Sequence, residues 1–179
     1  MFSVWIDADS CPKQVREYVF RYTQKHSVPL FFVANRAIPL PFGHTEETPQ
    51  TAEYKCFFSM IVCEASDQAA DDYIFSHCQK DDIVITRDIP FAARLIEKQI
   101  LVMNDRGNVF SKENIGERLS ERDFMMNLAE IGLDGGRKKS DYGKKEFDKF
   151  CRAFDKDFSQ KLMNERYKTT QKTDGKNGN

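Results

Sequence analysis

The sequence predicts an α/β fold, a three-layer α/β/α sandwich built on a mainly parallel sheet. Short apolar runs of strand length alternate with amphipathic stretches of helical spacing, the pattern of a sheet with helices on both faces. Two runs end alike, in V-W-I-D-A-D-S-C-P and I-V-I-T-R-D-I-P: apolar residues, an Asp, then a Pro opening a helix. Acidic residues therefore recur at strand ends or helix starts, the edge where parallel sheets bind ligands.

Phe2–Asp7 reads as a buried strand, apolar except for Ser3. Pro12 suits a first helical turn because it needs no N–H there. Val15, Tyr18, Val19 and Tyr22 then carry a helix to about His26. Pro29 precedes a strand at Leu30–Ala34, and a long loop with three prolines and a glycine follows, of a length that compact domains keep for function or mobility. Cys56–Cys63 reads as a strand, Gln68–Cys78 as a helix, Asp82–Thr86 as a strand, Pro90–Lys98 as a helix and Ile100–Met103 as a strand, with N-D-R-G-N a turn. The pattern is helical again from Ser111, through Ile115, Leu119 and Phe124–Leu128. Gly132, Gly135 and Gly136 suggest a hinge. Lys144–Tyr167 is a last amphipathic helix, with Phe147, Phe150, Phe154, Phe158 and Leu162 on its stripe. The expected organisation is an α/β domain over 1–133, a C-terminal helix over 134–167 packing on it, and a disordered tail over 168–179 with nothing apolar to bury.

Of the 179 residues, 40% are hydrophobic and 31% charged, enough for one soluble domain with a real core. Charge is divided along the chain. Residues 1–133 carry 14 Lys and Arg against 20 Asp and Glu, net −6; residues 134–179 carry 13 against 8, net +5. An acidic body suits a cation and a basic tail suits a polyanion, although solvated charge on a terminal helix explains the tail as simply. The five cysteines lack a C-x-x-C pair, so neither zinc nor a disulfide framework is indicated. With no signal-like segment and no apolar run of membrane-spanning length, a cytoplasmic protein without membrane contact is expected. G-x-G-x-x-G, Walker and G-x-S-x-G motifs are missing, which argues against a nucleotide cofactor and a serine-hydrolase elbow.

The acidic stations carry the chemistry. Asp7 ends an apolar strand, where a charge is costly unless paired or metal-bound, and Asp9 repeats it two residues on. Asp67 and Asp71 lie four apart on one helical stripe with Ala70, Ile74 and Cys78; Asp67 suits a helix cap and Asp71 a ligand, while Asp72 turns toward solvent. Asp88 either caps the helix at Pro90 or joins Asp7. A fourth candidate falls at Asn104 or Asp105, which equally form a turn. Clustered carboxylates repel unless a divalent cation neutralises them, and oxygen ligands suit Mg²⁺ or Mn²⁺. Arg36, Arg87 and Arg106, each just past a strand end, would meet phosphates. With only three histidines, at 26, 44 and 77, a histidine-based triad is disfavoured; Cys11, beside two aspartates, reads as a buried residue near a helix start.

Six segments in this order, W-I-D-A-D-S-C-P, V-A-N-R, A-A-D-D-Y-I, I-V-I-T-R-D-I-P-F-A, N-D-R-G and E-R-L-S-E-R-D-F-M, make residues 3–155 resemble the bacterial YaiI/YqxD family of uncharacterised function, grouped with PIN-like domains. The resemblance implies a PIN-like fold and a Mg²⁺- or Mn²⁺-dependent ribonuclease site. Asp7, Asp71 and Asp88 match PIN acids, Asp9 belongs to the family's own D-A-D signature, and Asn104 stands where the fourth acid would be. Asn35 and Asn104 join the three arginines as substrate-binding candidates. The expected function is thus a metal-dependent nuclease, acting on RNA in preference to DNA, with metal-activated water held by Asp7, Asp9, Asp71 and Asp88. Two alternatives are a haloacid dehalogenase-like phosphatase with Asp7 as nucleophile and Asp9 as acid, prompted by the hhh-D-x-D pattern, and a non-catalytic RNA-binding or partner-binding module.

Overall fold

A computed structural model describes residues 1–39, 58–66, 68–132 and 142–174, with side chains to Lys168. The elements are β1 (Val4–Asp7), α1 (Lys13–His26), β2 (Leu30–Ala34), β3 (Phe58–Val62), α2 (Ala69–His77), β4 (Ile83–Ile85), α3 (Ile89–Glu97), β5 (Leu101–Met103), β6 (Val109–Phe110), α4 (Ile115–Glu130) and α5 (Lys144–Asp174). The strands form one sheet in the order β3-β2-β1-β4-β5-β6, parallel except for β6. Winding reverses between β1 and β4. This crevice is the switch point at which open α/β sheets bind ligands.

Alternation along the strands builds the three layers. Val4, Ile6, Leu30, Phe32, Ile83, Ile85 and Met103 face one side, where α1 and α5 cover them. Trp5, Val33, Val84 and Val102 face the other, beneath α2 and α3. The stripe expected on the last helix is what seats α5: Phe150, Phe154 and Phe158 are fully buried among Tyr18 and Tyr22 of α1 and Phe2. At about 1.5–3 kcal/mol for each fully buried large apolar side chain, these three rings make α5 part of the core of the α/β body.

Two expectations change. The helix anticipated to Tyr167, with disorder over 168–179, continues to Asp174. Residues 168–174 contain no Gly or Pro, and extending an existing helix needs no new nucleus. The two-residue β6 follows the expected turn directly and is too short to show a period. Other boundaries shift by a residue or two, apart from α4, which starts at Ile115, four residues past Ser111. The long loop from residue 40, the start of the anticipated third strand, Asp67, and the glycines at 135 and 136 lie outside the described residues. Among the described residues no helix is long and apolar enough to cross a membrane.

Candidate active site at the switch point

β1 delivers Asp7 to the crevice. Its carboxylate is nearly buried, and the hydroxyls of Ser10 (2.7 Å) and Thr86 (2.9 Å) donate to Oδ2. Burial pushes the Asp7 carboxyl above its usual range; the two hydroxyls pull against that and Asp9 adds to it. Thr86 directly follows β4, the strand paired with β1, and also accepts the Asp88 backbone N–H through Oγ1 (3.0 Å), so one hydroxyl links two acidic stations.

Asp88 caps α3, its Oδ1 accepting from the Phe91 N–H at 2.7 Å. The cap expected as an alternative is therefore present, and Asp88 lines the cleft as well. Asp71 differs from both. It lies in the first turn of α2, its carboxylate receives no hydrogen bond among the described residues, and burial together with the charges of Asp7 and Asp88 pushes it up to about 7. Asp72, on the neighbouring face, pairs instead with Arg94 at 2.8 Å.

An open cleft of about 410 Å³ is lined by Asp7, Asp9, Ser10, Asn35, Ala70, Asp71, Arg87 and Asp88. All four predicted acids thus meet at one place, with Asn35 and Arg87. Asp9 is committed there: Oδ2 accepts the Asn35 N–H (2.6 Å) and Oδ1 pairs with Arg36 (3.2 Å). Asn35 also donates to the Ser66 carbonyl and accepts the Ala70 N–H, fastening the start of α2, and hence Asp71, to the end of β2. Arg36, Arg106 and Asn104 are not among the lining residues. Asn104 closes its turn by accepting the N–H groups of Arg106 and Asn108, and Arg106 stacks over Tyr142 and pairs loosely with Glu146.

Sequence reasoning did not reach Ser10 or Thr86; the Thr86 role depends on a contact across 79 residues. It weighed Asp105 only as an alternative fourth acid. Asp105 is 2% exposed and forms an ion pair with Arg87. Cys11 is buried as expected, and burial pushes its thiol well above the normal range, away from a reactive thiolate.

Among the described residues, no three His, Cys, Asp and Glu side chains converge tightly enough to enclose a metal ion. The donor set still fits Mg²⁺ or Mn²⁺, because such ions keep several waters and take one or two carboxylates plus substrate phosphate. Asp71 supplies an unshared carboxylate whose proton affinity comes partly from neighbouring negative charge, and that is the group a cation would discharge.

Fold and cleft together define a class: doubly wound α/β proteins with an acidic crevice at the switch point. The family model described as "Uncharacterized BCR, YaiI/YqxD family" matches residues 5–160, and the chain belongs to this family. The chain is 40% identical over 152 residues to a UPF0178 protein of Treponema denticola, covering 85% of this chain and 88% of that one. A UPF0178 protein of Geobacter sulfurreducens is 36% identical over 152 residues, 85% of this chain and 93% of its own. One of Myxococcus xanthus is 35% identical over 162 residues, 90% and 97% of the two chains. No solved structure matches the chain.

Proposed function

We propose that the cleft is the active site of a metal-dependent nuclease that hydrolyses phosphodiester bonds in RNA in preference to DNA. The observation that carries this is the state of Asp71. It is a half-buried carboxylate with no donor among the described residues, raised to about 7 by burial and by Asp7 and Asp88, in an open crevice that Arg87 also lines. A protein needing only structural charge there would have supplied a donor, as it does for Asp7 and Asp88. Asp7, Asp71 and Asp88 would hold Mg²⁺ or Mn²⁺, which lowers the pKa of water and withdraws charge from a phosphodiester. Ser10 and Thr86 fix the Asp7 carboxylate through one oxygen and leave the other for a ligand. Arg87 places positive charge at the rim, where the phosphate must approach three acids.

The phosphatase alternative needs Asp9 free as a proton donor, and its two oxygens are occupied by Asn35 and Arg36, which weighs against it. The test is cleavage of single-stranded RNA with Mn²⁺ by wild type and the Asp7→Asn/Asp88→Asn double variant. Mn²⁺-dependent cleavage by wild type alone is expected. Equal activity in both, or an aspartyl-phosphate trapped on Asp7, overturns the proposal.

A further inference from the structure

Arg87 is held in place by groups outside the acidic cleft. Its guanidinium pairs with Asp105, which sits on the turn between β5 and β6 and is 2% exposed. An Asp buried this deeply is almost always paired, yet its partner keeps a side chain 44% exposed and is one of the residues lining the cleft. A guanidinium carries five N–H donors, so a single carboxylate contact leaves others for a second anion. The Arg87 backbone N–H donates to Ser10 Oγ (3.4 Å), the hydroxyl that donates to Asp7. Arg87 is thereby tied to the acidic site through its backbone and to a buried anion through its guanidinium.

The turn carrying Asp105 is itself seated on α5. Tyr142, just before that helix, donates its hydroxyl to the Asp105 carbonyl (2.6 Å) and lays its ring beneath Arg87 and Arg106, 5.9 and 5.8 Å from the two guanidinium carbons. Gly107 has φ +70°, and a Cβ there would stand 2.7 Å from the Lys149 carbonyl oxygen of α5. Lys149 reaches back to Asn108 at 2.6 Å. The first turns of α5 thus determine where Asp105 lies, and Asp105 determines where Arg87 points.

We propose that Asp105 and Tyr142 are positioning residues that hold the Arg87 guanidinium over the acidic cleft to receive a backbone phosphate of single-stranded RNA. The ligand's identity rests on the nuclease reading; the holding of Arg87 does not. A bridge needed only for stability gains nothing from keeping its cation at the cleft rim. A site that brings three carboxylates to a polyanion needs a cation that cannot swing away.

The test uses fluorescein-labelled oligo(U) and the full chain. Anisotropy is read in EDTA and in Mn²⁺ over a range of salt for wild type, Arg87→Ala, Asp105→Asn and Tyr142→Phe, with cleavage kinetics and melting on the same samples. Arg87→Ala and Asp105→Asn should each weaken binding roughly tenfold, the size of one lost charge-assisted hydrogen bond. The slope of log K against log salt should fall by about one. Tyr142→Phe should give a smaller loss with the same sign, and carries the test if Asp105→Asn fails to fold. Asp105→Asn should raise KM and leave kcat nearly unchanged, a split that a merely stabilising bridge does not produce. Wild type that binds no RNA in either buffer overturns the inference, as does wild-type affinity in folded Asp105→Asn and Tyr142→Phe. If wild type binds, the variants weaken as stated and nothing is cleaved with Mn²⁺, the inference stands and the nuclease reading falls. If wild type cleaves, and binding and KM are unchanged in the variants, the nuclease reading stands and the inference falls.

Discussion

The two edges of the sheet each hold a buried aspartate in the β1–β4 region and treat it in opposite ways. At the amino edge, Asp82 is 3% exposed and accepts from the Ser3 N–H (2.7 Å), the Trp5 Nε1–H and the Gln79 N–H (2.8 Å each). Those three donors make it a rivet between β1 and the turn before β4. At the carboxyl edge, Asp7 receives two hydroxyls, Asp88 one backbone N–H from the helix it caps, and Asp71 no hydrogen bond among the described residues. Both edges concentrate acid; only one leaves carboxylates short of donors in an open crevice. Buried carboxylates that serve the fold are saturated with donors, and the ones left short are where a ligand is expected to complete the shell.

The largest effect should come from breaking the amino edge. Asp82→Ala strands three donors, including the buried indole N–H, and should cost about 3–5 kcal/mol in denaturant unfolding. Mn²⁺ affinity in the protein that remains folded should be unchanged. An equal loss of metal binding would erase the distinction between the edges.

The carboxyl edge should respond in the opposite direction. Asp71 has a folded pKa near 7 against an unfolded value of 3.8, so the folded state holds the extra proton. Its contribution is most favourable below about pH 4 and is lost as pH rises through 7. The metal-free protein should therefore lose stability from Asp71 between pH 5 and pH 8, by about 1–2 kcal/mol after allowance for solvent screening. Asp7, shifted the same way, adds to this with the same sign. Asp71→Asn should flatten the difference, stabilise the metal-free protein at pH 8 and abolish protection by Mn²⁺, which thermal melts at the two pH values read directly. A smaller change, about 1 kcal/mol of destabilisation, is expected for Thr86→Val, which removes one donor from Asp7 and the acceptor of the Asp88 N–H. That variant should also weaken Mn²⁺ binding, whereas Asp82→Ala should not.

Much of the carboxyl edge was legible in the sequence. A parallel sheet brings every strand's end to one side, so an Asp closing an apolar run is already placed once the strands are known. Asp71 followed from helical spacing, since a carboxylate beside the stripe of Ala70 and Ile74 must look inward. What could not be read were the contacts that distinguish a rivet from a ligand. Asp82 reads as the first residue of a strand, and only the fold brings Trp5 Nε1 across 77 residues to reveal a structural anion. Asp105 looks like turn chemistry until Arg87 arrives from another loop, and Asp9 looks unpaired until Arg36 does. Periodicity gives faces; it does not say which partner each polar atom will meet.

Whether the carboxyl edge is a divalent cation site made by Asp7, Asp71 and Asp88 is best decided by isothermal titration of Mn²⁺ at pH 8 into wild type and Asp71→Asn. Saturable binding is expected for wild type, with fewer protons released at pH 8 than at pH 6.5 as Asp71 is already ionised, and no binding for the variant. Equal binding by the two proteins, or none by either, would contradict a cation site at this edge.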